Sequence, residues 1–174
     1  MSDALPIHEA FKLGNLDALK AALGNPPDFP NCNGEPLTTG HVLEYAIYHS
    51  PAAFIRTLLE LGADPNYRDP AGFPSLIAAL SCPERPDLQD IMDMLLAHGA
   101  DIQQRGVNDH TPLHYAAAAN DVKMIQWLLA HGADPHAKTH IDDYATPLEE
   151  AENLGQSDAV KVLRNWQEGP RKKY

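Results

Sequence analysis

The chain has 174 residues, enough for one domain with a sizeable core, and an apolar content that excludes wholesale disorder. Its net charge of −11, from 24 acidic and 13 basic side chains, excludes a phosphate-tracking nucleic-acid binder, which needs clustered Lys and Arg. No stretch approaches the ~18 consecutive apolar residues of a membrane span.

The N-terminal "MSDALPIHEAF" lacks the basic flank and unbroken apolar run of a secretory signal. Within it, "LPIHEAF" (Leu5 to Phe11) is the first helical opening, and it runs into a Pro/Gly/Asn-rich connection, "GNPPDFPNCNGEPLTTG". "HVLEYAI" (His41 to Ile47) opens a second unit, which "LLELGAD" (Leu58 to Asp64) closes. In the third, "GFPSLIAAL" carries Leu76 and Ala79, each 33 residues after Leu43 and Ala46. An extended connection, "SCPERPDLQD", precedes its closing "LLAHGAD" (Leu95 to Asp101). The fourth opens on "TPLHYAA" (Thr111 to Ala117) and closes on the same "LLAHGAD" at Leu128 to Asp134. "TPLEEAE" follows 35 residues after its counterpart, and the chain ends on "VLRNWQEGPRKKY" with no closing turn. The closing glycines Gly62, Gly99 and Gly132 stand 37 and 33 apart. Five units in register are the mark of stacked supersecondary structure, in which no unit buries its apolar face alone.

The fourth unit shows how each is built. Thr111 is placed to cap a helix whose first turn holds Pro112, where a missing N–H costs nothing. The run to Ala119 is small and apolar, so neighbouring helices can approach closely. Asn120 and Asp121 break it. A second helix over Val122 to His131 carries Val122, Ile125, Leu128 and Leu129 on one face. Gly132 then ends that helix in the left-handed conformation, and Pro135 prevents continuation. His98 and His131, just before the capping glycines, are expected to satisfy terminal carbonyls rather than to do chemistry.

These openings and closings resemble the ankyrin-repeat family: T-P-L-H-x-A is complete at Thr111, Pro112, Leu113, His114 and Ala116, and G-A-D occurs three times. The resemblance implies an all-α solenoid of helix-turn-helix units joined by β-hairpin-like finger loops, one domain over 1–174. Its units fall at about 5–30, 36–68, 69–105, 106–138 and 139–167, with 168–174 a tail. It also implies a turn role for Asp64, Asp101 and Asp134, and a hydrogen-bond network bracing adjacent units through His114 and His8. Departures fall at the first unit, whose Pro-rich connection is expected to spoil its hairpin, and in the long third unit. Trp127 is expected in the core and Trp166 is expected to seal the last unit.

Nothing in the sequence supports catalysis. There is no phosphate loop, nucleophile elbow or dinucleotide fingerprint. Glu149 and Glu150 are adjacent on a helix and read as a solvated face. His136 and His140, followed by Asp142 and Asp143, have no third ligand of convincing spacing and read as a solvated loop, so no metal and no cofactor is expected. Cys32 and Cys82 form neither a C-x-x-C pair nor a disulfide framework and are expected as reduced thiols of a cytoplasmic protein.

The resemblance places partner contacts on the finger tips and the exposed side of the first helices. By register the tips hold Arg68, Pro70, Ala71 and Phe73, then Arg105, Val107, Asn108 and His110, then Lys138, His140 and Tyr144. The first-helix positions are Tyr48 and His49, then Ser81 and Cys82, then Ala118 and Ala119. The set is rich in Arg, His and aromatics, which recur among interface hot spots. The expected function is a non-enzymatic protein-binding module, monomeric on its own, that takes a partner protein on its concave face. Two alternatives stand beside it: the acidic charge suits a small inhibitor that occludes a basic toxin or effector enzyme, and the connection around Arg85 is a rival contact site.

Overall fold

The computed structural model describes residues 6–32, 40–68, 71–141 and 144–168. They form helices joined by turns and loops, and divide into two compact units, Met1–Asp101 and Ile102–Tyr174.

The first unit holds α1 (Ile7–Leu13), α2 (Leu16–Ala22), α3 (Val42–His49), α4 (Ala52–Glu60), α5 (Ser75–Leu80) and α6 (Leu88–Ala97). The helices pair as hairpins, α1 with α2, α3 with α4 and α5 with α6. Pairs then pack side by side, α3 lying against α1 and α5, and α4 against α6. Phe11, Leu19, Ile47, Ile55, Leu58, Ile77, Ile91 and Leu95 are fully buried between them. Such burial is the main stabilising term for helices too short to persist alone.

The second unit holds α7 (Pro112–Ala118), α8 (Val122–Ala130), α9 (Pro147–Asn153) and α10 (Ser157–Glu168), with α7 against α8 and α9, and α10 against α7, α8 and α9. Local chemistry fixes its helix ends. The Thr111 and Thr146 hydroxyls cap α7 and α9, each with Pro at the first helical position. Asp121 caps α8 by accepting from the Met124 N–H. Gly132 adopts φ 91°, and its neighbour's N–H returns to the Leu128 carbonyl. His98 and His131 place Nδ1 at 2.8 and 2.7 Å from the Met94 and Trp127 carbonyls, the end-of-helix role their position indicates.

Two expectations need correction. Trp166 does not seal the last unit, being 49 % exposed. Leu163, three residues earlier, reaches the core, and the helix runs on past its packing partners. Trp127 is buried as expected, stacked on His131 with ring centroids 4.1 Å apart. Glu149 is more than a solvated side chain: its carboxylate accepts from the Thr146 N–H at 2.8 Å and completes the cap of α9. That bond holds its carboxyl below the usual range. The hairpin expected to be spoiled in the first unit falls in the connection that contains residues 33–39. Residues 33–39 lie outside the described residues, but Asn31 makes a contact that recurs later in the chain.

Candidate protein-binding surface

The loops after the second helices are fixed by side-chain amides. Asn31 Nδ2 donates to the Gly62 carbonyl at 2.9 Å, and its Oδ1 accepts from the Asp64 N–H at 2.7 Å. Asn66 repeats the pair on Gly99 and Asp101, at 2.8 and 2.7 Å. In the second unit Gln103 Nε2 reaches the Gly132 carbonyl at 3.4 Å. A side-chain amide two residues after the closing Asp64 and Asp101 is the sequence signal for this contact. These bonds satisfy backbone groups at each helix end and hold the start of each finger.

In the first unit, the finger after α4 is tied to α3. His41 stacks on Tyr67, centroids 4.6 Å apart, and its Nε2 donates to the Arg68 carbonyl at 3.0 Å. The Tyr67 hydroxyl donates to the Phe73 carbonyl at 3.1 Å. Arg68 is exposed, Ala71 is exposed and Phe73 is half-buried; Pro70 lies outside the described residues.

On the first helices, Tyr48 is half-buried and His49 exposed at the end of α3. The structure joins to them two residues that the register did not select, His8 on α1 and Tyr45 on α3. His8 Nδ1 and the Tyr45 hydroxyl lie 2.9 Å apart, so His8 does bridge adjacent helix pairs, through a tyrosine hydroxyl. Ring centroids are 5.1 Å apart for His8 and His49, 4.5 Å for Tyr45 and His49, and 6.1 Å for Tyr48 and His49. Buried Phe11 forms the floor, 4.5 Å from Tyr45. Burial first, and His8 second, push the His49 imidazole below its usual pKa. Ser81 and Cys82 instead turn back on their own helix, at 2.7 and 3.6 Å from the Ala78 carbonyl. Burial raises the Cys82 thiol, so it stays protonated. Cys32 and Cys82 are both free.

Arg85 departs most from expectation. Its guanidinium donates to the Ile47 and Ser50 carbonyls at 2.8 and 3.0 Å, and grips Asp87 through Nε and Nη2 at 2.9 and 2.8 Å. Its donors satisfy carbonyls at the C-terminal end of α3, with the side chain 17 % exposed. Within the extended connection of the third repeat, Arg85 itself is a brace, while Pro83, Glu84 and Pro86 beside it are exposed.

In the second unit, the finger ahead of α7 turns at Val107–Asp109, with Asn108 and Asp109 both left-handed (φ 53° and 58°) and the His110 N–H returned to Val107. Asn and Asp tolerate that conformation because their side chains bond locally. Arg105 is held by the Asp109 carbonyl and carboxylate, each at 2.9 Å, and by the Lys138 carbonyl at 2.8 Å. Its guanidinium thus links two fingers, and removing it cannot be structurally neutral. Val107 is half-buried and Asn108 exposed. His110 lies parallel to His114, 5.5 Å between centroids, and 3.8 Å from Glu150. The last finger is closed at its base by Thr139 and Ala145, leaving Lys138, His140, Ile141 and Tyr144 outward. Tyr144 is 59 % exposed and left-handed at φ 51°, a backbone cost for a bulky residue. Ala118 is half-buried and Ala119 exposed; the Ala118 carbonyl accepts from Gln156.

His114 shows what the T-P-L-H motif does. Its Nε2 donates to the Ala145 carbonyl at 3.0 Å, while Nδ1 accepts from the Thr111 hydroxyl at 2.8 Å. That pattern demands a neutral imidazole, and burial lowers its pKa to about 4. Of the metal candidates, His136 closes a turn on Asp134, His140 lies 3.1 Å from Asp109, and Asp142 and Asp143 lie outside the described residues. Among the described residues no group of three or more His, Cys, Asp or Glu is arranged to hold a metal ion.

Comparison with known proteins agrees with this architecture. A family model for ankyrin repeats (3 copies) matches residues 76–173, and the chain belongs to the ankyrin-repeat family. Relatives include a putative E3 ubiquitin-protein ligase, XBAT34, of Arabidopsis thaliana, 34 % identical over 64 % of this chain and 29 % of that protein. BCL-6 corepressor-like protein 1 of Homo sapiens is 32 % identical over 61 % of this chain and 6 % of its own length. The putative ankyrin repeat protein FPV014 of fowlpox virus is 29 % identical over 91 % of this chain and 35 % of its own length. The chain therefore spans little more than a third of these relatives at most. Ankyrin repeats are in general a non-enzymatic fold for protein–protein interaction. No helix among the described residues is long and apolar enough to cross a membrane.

Proposed function

We propose that this chain is a cytoplasmic, non-enzymatic, monomeric module that binds a partner protein through its finger tips and the open side of its first helices. One observation carries the reading. Residues that repeat are mostly buried in the units or close their helices, whereas several that do not repeat, His140, Ile141 and Tyr144 among them, are exposed on fingers. The left-handed Tyr144 adds weight, because backbone cost retained at an exposed aromatic is a feature of functional surfaces. The corepressor-like relative is named for a regulatory role, which suits a binding module.

The test is affinity capture from native lysate with the wild-type chain beside two variants, Arg68→Ala with Tyr144→Ala, and Tyr48→Ala with His49→Ala. Both variants are expected to lose the captured partner while their melting temperatures move by only about 1–3 °C, as surface substitutions do. Undiminished capture by both would remove this surface from consideration.

The net charge favours a second reading, an inhibitor that occludes a basic toxin or effector enzyme. It requires attraction that salt weakens, so capture undiminished in about 0.5 M NaCl counts against it.

A further inference from the structure

The rings of His8, Tyr45, Tyr48 and His49 form a platform on α1 and α3; His8 holds the T-P-L-H position and Tyr45 that of Tyr115, whereas the repeat pattern does not require Tyr48 and His49. The corresponding helix ends on α5 and α7 carry Ser81, Cys82, Ala118 and Ala119 instead. It stands in the more acidic part of the chain. Met1–Asp101 holds fourteen acidic and five basic side chains, against ten and eight in Ile102–Tyr174. Of the cations on neighbouring elements, Arg85 is paired with Asp87 and Lys12 lies 3.6 Å from Glu9.

We propose that this platform receives an arginine side chain from a basic segment of the partner, which deepens the binding function proposed above and rests on it. Three features favour arginine over other occupants. A guanidinium is planar and weakly hydrated, and it stacks on aromatic faces where a compact ammonium keeps its water. The negative charge of Met1–Asp101 attracts a basic segment and repels an acidic or phosphorylated one. The imidazoles supply ring faces and, when neutral, an acceptor for guanidinium N–H groups.

Protonation reverses that last feature. A proton on His49 or His8 puts a cation in the platform and expels the guanidinium. α3 itself carries Glu44 and Tyr45, and the elements packed against it carry Glu9 and Lys12 on α1, Arg56 and Glu60 on α4, and Cys82, Arg85 and Asp87 beyond α5; after burial, His8 is the group that acts on His49's titration. Both burial and His8 favour the neutral form, so the platform is ready at neutral pH and closes to arginine on acidification.

The experiment uses the full chain and a fluorescein-labelled hexa-arginine peptide, with hexa-lysine as the control of equal charge, followed by fluorescence polarisation. Hexa-arginine is expected to bind roughly fivefold more tightly than hexa-lysine at neutral pH. Tyr48→Ala is expected to erase that preference, and the preference itself is expected to shrink as the pH falls to about 5.5. His49→Gln, a milder change at an exposed position, is expected to keep much of the preference and flatten its pH dependence. Equal affinity for the two peptides, or a preference that survives Tyr48→Ala in a folded protein, overturns the proposal. Failure with the peptide, combined with loss of the lysate partner in the Tyr48→Ala, His49→Ala variant, would overturn arginine as occupant and leave the docking face standing.

Discussion

A threonine and a histidine three residues apart set both the start of α7 and the charge of an imidazole. The Thr111 hydroxyl accepts from the His114 backbone at 3.4 Å and lies 2.8 Å from its Nδ1, so one local pair satisfies a cap and fixes a tautomer. The cap is written in the sequence as T-P-L-H. The tautomer is not, because the Ala145 carbonyl that takes the Nε2 proton lies 31 residues away. The depressed pKa has a consequence for stability with a definite sign. The unfolded chain protonates this histidine near pH 6.5 and the folded one near 4, so between those values the unfolded state binds more protons. Stability therefore falls as the pH drops from about 6.5 to 4, by on the order of 3 kcal/mol for this residue. Urea titrations across that range are expected to give a steeper pH dependence for the wild type than for His114→Gln. Parallel curves would mean that the imidazole is not held neutral.

At the scale of elements, the legible and illegible parts of the chain divide by sequence separation. Helix starts at Thr111 and Thr146, stops at Gly99 and Gly132, and the end histidines His98 and His131 could be read because each acts within four or five residues of itself. Braces between repeats could not. Asn66 acts on residues 33 and 35 positions on, and Arg85 on Ile47 and Ser50, 38 and 35 positions back. An isolated Arg in a Pro-rich connection looks the same whether it faces a partner or caps a distant helix. The candidate surface was legible only to this extent: register located Tyr48 and His49, while His8 and Tyr45 joined them through packing of α1 on α3. Arg105 and Arg85, both placed by sequence among candidate contacts, engage their guanidinium groups in the fold. Arg85→Ala leaves two carbonyls without their donor and Asp87 without the partner that lowers its carboxyl pKa. It is expected to cost about 2–4 kcal/mol. Arg85→Lys is expected to recover little, since one ammonium cannot match the fork. Denaturant midpoints measure both, and partner capture by the folded fraction is expected to be unchanged, separating a brace from a contact.

For the whole molecule the governing quantity is charge. A surplus of eleven negative charges favours attraction to basic groups, but it also sets like charges against one another in the folded state. The exposed ion pairs among the described residues do little to relieve this. Lys12 with Glu9, Lys161 with Asp158 and Arg164 with Glu152 are exposed pairs on the surface, where solvent screens them, and surplus carboxylates outnumber the available cations. Added salt therefore acts on two opposed terms: it weakens a few surface pairs of small worth and it screens a net repulsion spread over the chain. With charge this unbalanced the second term wins. Raising NaCl from about 0.02 to 0.3 M at neutral pH is expected to stabilise the fold by roughly 1 kcal/mol, or about 2–4 °C in melting temperature. The same change is expected to slow association with a basic partner, because screening removes long-range attraction. Thermal melts followed by circular dichroism, with stopped-flow association beside them, separate the two effects. A melting temperature that falls with salt would mean that the attractive pairs, and not the surplus charge, dominate the electrostatics of the fold.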